Sequence, residues 1–98
     1  MLYKNRKMSQ TEIDEIYEDF VVEIASKVAK KVKGKVFYGY ANIESMWYVM
    51  VKTRELGEKR FFLDTLDYDM ITGVSSKEIS DKIIKLYHRI IERRFFII

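Results

Sequence analysis

The chain has 98 residues, of which 48% are hydrophobic, 34% are charged and 14% are aromatic, with a net charge of +3. This length fits a single domain, 1–98, and the mixed-sign charge on an apolar background excludes an intrinsically disordered chain. One histidine (His88) and no cysteine or proline leave no disulfide, no thiolate metal site and little equipment for nucleophilic chemistry.

Residues 1–8 read as a loose basic lead, carrying Lys4, Arg6 and Lys7 without the apolar stretch of a secretory signal. Met8, ahead of Ser9 and Gln10, is a second candidate start that would make the first seven residues dispensable. Ser9 and Glu12 have the spacing of a capping box, and a long helix is predicted over 9–33. Ile13, Ile16, Tyr17, Phe20, Ile24 and Val28 recur at three- and four-residue steps and define its apolar face. Gly34 stands where a helix stop is expected. The charges along this helix are sorted. Glu12, Asp14, Glu15, Glu18, Asp19 and Glu23 fill the front, and Lys27, Lys30, Lys31 and Lys33 the rear. That order suits the helix macrodipole, and it also makes a docking surface of two signs.

A three-stranded sheet is predicted over 35–65. Its strands are residues 35–41, 46–53 and 60–65, joined by short loops at 42–45 and 54–59, which reads as an antiparallel meander. On the middle strand Trp47, Val49 and Val51 share one face and Met46, Tyr48 and Met50 the other, so both faces are apolar. Residues 64–74 read as a polar connector. Ser75 and Glu78 form another capping box ahead of a C-terminal helix over 76–94. Ile79, Ile83, Leu86 and Ile90 make its core stripe, widened by Tyr87 and Ile91. The chain ends on Phe95, Phe96, Ile97 and Ile98, a segment expected to dock because a free apolar end invites aggregation. The fold class is α+β in the order α-β-β-β-α. Both helices pack on one face of the meander, and the other face is left open for recognition.

The candidate sites follow from this layout. Tyr38, Tyr40, Trp47 and Tyr48 concentrate rings on two adjacent strands, as interface anchors do. With the acidic Glu15, Glu18 and Asp19 they form the expected partner-binding set. Lys82, Lys85, Arg89 and Arg93 form a basic stripe on the last helix. This stripe is an alternative nucleic-acid surface in which cations meet phosphates and strand aromatics meet bases. Glu78, Asp81 and Glu92 interrupt the stripe, so a solvated helix face explains it as well. Asp64, Asp67 and Asp69 are the one loop cluster of carboxylates. Their spacing departs from a calcium loop, and turn formation accounts for them. His88 lacks a partner group in sequence, so no catalytic role is assigned to it. No metal and no cofactor are expected.

The element order, Ser9 to Arg94, is similar to that of the double-stranded-RNA-binding domain. That family's lysine cluster at the start of the second helix reads here as Ser75-Ser76-Lys77-Glu78. Its glycine-proline loop has no counterpart, so no residue role is carried over. In general character, a single domain rich in Lys, Ile and Tyr and free of catalytic motifs, the chain resembles the small accessory proteins of phages and mobile elements. That resemblance implies binding to, and occlusion of, a macromolecular factor. The expected function is therefore non-catalytic protein binding in the cytoplasm, without membrane insertion. Nucleic-acid binding is the alternative, and a homodimer through the sheet or tail is a third reading.

Overall fold

The computed structural model describes residues 2–4 and 12–96. The elements follow in the order β1 (Leu2–Lys4), α1 (Glu12–Lys31), β2 (Lys35–Ala41), β3 (Met46–Thr53), β4 (Gly57–Phe62), α2 (Leu66–Thr72) and α3 (Ser76–Phe96). The α+β class and the α-β-β-β-α order hold. β2, β3 and β4 form the antiparallel meander, with Ala41 opposite Met46 at one hairpin and Thr53 opposite Gly57 at the other. Helix 1 closes at Lys31 rather than at residue 33, and the third strand occupies Gly57–Phe62 rather than 60–65. Ser9 and its capping partnership lie outside the described residues.

Two elements depart from the sequence reading. The basic lead contains β1, which pairs parallel to β2 with Leu2 opposite Val36 and Lys4 opposite Tyr38, so the sheet has the order β1-β2-β3-β4. Parallel neighbours need a long crossover, and α1 supplies it. The polar connector contains α2. Its first turn carries Asp67 and Asp69, where acids favour a helix start, and Gly73 ends it in the left-handed conformation at φ 80. The expected second capping motif is formed on one side. The Ser75 Oγ accepts a hydrogen bond from the Glu78 backbone N–H at 3.2 Å.

All three helices bury against the same sheet face. Val21, Ile24, Ala25 and Val28 of α1 meet Val36 and Tyr38 of β2, Trp47, Val49 and Val51 of β3, and Ile79, Ile83 and Tyr87 of α3 in one cluster, with Leu66 of α2. Each fully buried branched side chain contributes about 2 kcal/mol relative to exposure. The stripe of α1 is rotated from expectation. Val21 and Ala25 point inward, while Ile16 is 64% exposed, because the face running 21, 24, 25, 28 lies squarely on the sheet.

The opposite sheet face is not the bare platform that the sequence suggested. Tyr48 and Met50 are each only 4% exposed, yet they lie outside the core cluster. Side chains of the same face close over them. The Arg60 guanidinium sits 4.8 Å above the Tyr48 ring centroid, and the Phe62 ring meets Tyr48 edge-on at 6.0 Å. Large cross-strand neighbours thus help to shield the centre of this sheet face.

Candidate functional site

The meander has a tip and a base. At the tip, residues 42–45 turn the chain between β2 and β3. Ser45 adopts φ 55, and its hydroxyl donates to the Asn42 carbonyl at 3.4 Å. A four-residue hairpin loop with a left-handed residue before the second strand matches the twist of the pair. It holds Ile43 outward, 96% exposed. Tyr40 stands on the flank of this tip, 37% exposed, its ring meeting Trp47 edge-on at 5.5 Å.

A shallow cavity of about 260 Å³ opens beside the tip. Tyr17 of α1, Tyr40, Trp47, Leu63, and Leu66 and Asp67 of α2 all line it. The Tyr17 hydroxyl donates to the Asp67 carboxylate, which holds the phenol above the usual tyrosine range because the bond and the nearby negative charge both favour the neutral form. The same end of the molecule also exposes Ile16 on α1 and Tyr68 and Ile71 on α2. Glu15 and Asp19 are exposed on α1, Glu18 is half-buried, and Glu44 is exposed on the hairpin loop. The tip is therefore an apolar surface with an acidic rim.

The expected partner-binding set divides on this geometry. Tyr40, Glu15 and Asp19 are accessible at the tip end. Tyr38 and Trp47 are buried among the helices, and Tyr48 is buried on the opposite face, so these three rings do not offer themselves to a partner. Alternation along the strand already assigns Tyr38 and Trp47 to one face, and that face is the one the helices needed. Sequence reasoning passed over Ile43, Tyr68 and Ile71. Ile43 was legible as an apolar residue at a turn position, where polar residues are the rule. The other two were hidden in the segment read as a connector.

On α3, Lys82, Lys85, Arg89 and Arg93 are all exposed, as are Glu78, Asp81 and Glu92 among them. Lys77 pairs with Asp81 at 2.9 Å across one helical turn, which holds the lysine above its usual range. His88 is exposed, its ring tilted against Tyr87 at 6.3 Å. The three aspartates part company. Asp64 and Asp67 line the tip cavity, while Asp69 accepts a hydrogen bond from the Thr65 hydroxyl at 2.9 Å. Among the described residues no three His, Cys, Asp or Glu side chains gather around a point where a metal ion could sit. Nor, among the described residues, is any helix long and apolar enough to cross a membrane. The docking expected of Phe95 to Ile98 concerns side chains outside the described residues.

No known family model matches the chain, and neither a curated protein nor a solved structure matches it.

Proposed function

We propose that the chain is a small non-catalytic interaction protein that uses its hairpin-tip end to bind and occlude a protein partner. Such an activity fits an inhibitor or accessory factor of the kind carried by phages and mobile elements. The observation that carries this reading is the exposure of Ile43 and Tyr40 at the hairpin tip, with Ile16, Tyr68 and Ile71 also exposed on the helices. A short hairpin loop has little backbone freedom to lose on docking, and apolar residues at the centre of an interface supply most of its energy. The acidic rim of Glu15, Asp19 and Glu44 suits a partner whose apolar patch is bordered by lysine or arginine.

Photo-crosslinking tests the reading. With a photoreactive residue replacing Ile43 in cells that express the protein, nuclease-treated extract is expected to yield an adduct with a distinct protein. The same residue replacing Arg54, at the base of the meander, is expected to yield none of that adduct. No adduct at position 43, or only a chain-to-chain adduct, would overturn the proposal.

The alternative use of the α3 stripe on nucleic acid retains its cations, but the rings meant to stack on bases, Tyr38 and Trp47, are buried in the core.

A further inference from the structure

The base of the meander, opposite the tip, gathers a different chemistry. Lys33 approaches from the α1–β2 connector, Lys35 from the start of β2, Lys52 from the end of β3 and Arg54 from the turn after it. All four line one open hollow of about 440 Å³, with Glu55 its one acidic member among the described residues. Lys30 and Lys31 stand in the last turn of α1, just before it. Gly34 explains the convergence. At φ +110 it runs so close to β3 that a Cβ there would lie 2.6 Å from the Lys52 carbonyl oxygen. The connector is thus pressed against the strand end, and two basic segments share one concavity.

The charges there are poorly neutralised. Lys35 lies directly opposite Lys52 in the β2–β3 ladder, a like-charge pairing that opposes folding. Lys52 reaches Glu58 only at 4.0 Å, with both side chains half exposed. Among the described residues Lys33, Lys35 and Arg54 form no ion pair. Two lysines set face to face, with Lys33 and Arg54 beside them and Glu55 and Glu58 offsetting only part of the charge, leave the hollow net positive, which suits an anion.

What lies beside the hollow narrows the ligand. On the same sheet face the register leads from the Lys35–Lys52–Glu58 row to Met50 opposite Arg60, then to Tyr48 opposite Phe62. At about 3.3 Å per residue, Phe62 is about 13 Å along β4 from Glu58. Its ring is 37% exposed, on the edge strand, with the Arg60 guanidinium next to it over Tyr48. Cations followed by an accessible ring and a planar guanidinium suit a ligand that alternates phosphates with flat bases. An acidic peptide would use the cations and leave the ring idle. We propose that the basic hollow binds the phosphate backbone of single-stranded nucleic acid and that Phe62 and Arg60 provide the neighbouring surface for its bases. The site is separate from the tip and does not rest on the protein-binding reading.

Fluorescence anisotropy with a labelled, mixed-sequence single-stranded oligonucleotide, run across a salt series, tests this. A variant combining Lys33→Gln, Lys35→Gln, Lys52→Gln and Arg54→Gln is expected to bind at least about ten-fold more weakly. The slope of log affinity against log salt should shrink by about 3, since each phosphate contact on a single strand contributes about 0.7. Single Arg54→Gln, the mildest change, should shrink it by about 0.7, which keeps the test valid if the fourfold variant folds poorly. Phe62→Ala should weaken binding with the slope unchanged. A combined Lys82→Gln, Lys85→Gln, Arg89→Gln and Arg93→Gln variant should keep the native slope. The proposal fails if the native protein does not bind the oligonucleotide, if the α3 variant loses the slope instead, or if a duplex binds equally and Phe62→Ala has no effect. Ile43→Glu should leave oligonucleotide binding intact, so this site and the tip stand or fall separately.

Discussion

Gly34 shows how one residue sets the geometry of a whole end. Its φ of +110 lies where L side chains are strained, and the space its Cβ would take is filled by the Lys52 carbonyl oxygen and, at 2.8 Å, the Thr53 methyl. Gly34→Ala is therefore expected to destabilise the fold by at least about 2 kcal/mol, from backbone strain together with the clash. A lowered midpoint in urea denaturation with an unchanged slope would register it. At the tip, Tyr17 makes the corresponding statement about pH. Its folded-state pKa is raised, chiefly by the hydrogen bond to Asp67. The stability it contributes is thus fully present below the ordinary tyrosine pKa of about 10 and is lost as pH rises through the higher folded value. Tyr17→Phe should flatten that alkaline decline in a pH series of thermal unfolding. An alkaline limb as steep as in the native protein would show that the bond carries no stability.

At the scale of elements, the period of the apolar residues decided what could be read. β3 is a run of six apolar residues that marks a strand but not which face the helices cover, and α1 carries enough turns for an apolar stripe to stand out, though Val21 and Ala25 were not assigned to it. Within that stripe, Ile24 is fully buried. Ile24→Ala should cost about 3–4 kcal/mol through lost transfer energy and the cavity left behind. Ile43→Ala, at a 96% exposed position, should change stability by no more than about 0.5 kcal/mol. Chemical denaturation of the two variants side by side checks the contrast. α2 escaped the sequence reading because seven residues make fewer than two turns, and Asp67 and Asp69 look like turn residues until Leu66 and Met70 are seen facing inward. β1 escaped because three residues carry no period, and its partner lies on the far side of a helix.

At the scale of the molecule, the two candidate surfaces were legible to different degrees. The acidic front of α1 was plain in the sequence, and it marks the tip end. The basic hollow was not singled out, although its key pairing was within reach. A hairpin loop over 42–45 sets Ala41 against Met46, and the same register carries Lys35 onto Lys52. What the sequence could not show was the close approach at Gly34 that adds Lys33 and Arg54 to that pair. Nor could it show that the rings of Tyr38 and Trp47 would be consumed by the core while Tyr48 was covered from its own side. The exposed apolar residues of the tip and the basic hollow at the base thus lie at opposite ends of the β2–β3 hairpin.

The pairing of β1 with β2 also governs the order in which the sheet can be completed. The β2–β3 and β3–β4 hairpins join neighbours in the chain and can close locally, whereas Leu2–Lys4 must await the synthesis of α1 and of Val36 to Tyr38. On the ribosome β1 emerges before β2, the strand it must pair with. Translation halted before Val36 would strand β1 without its only partner strand among the described residues.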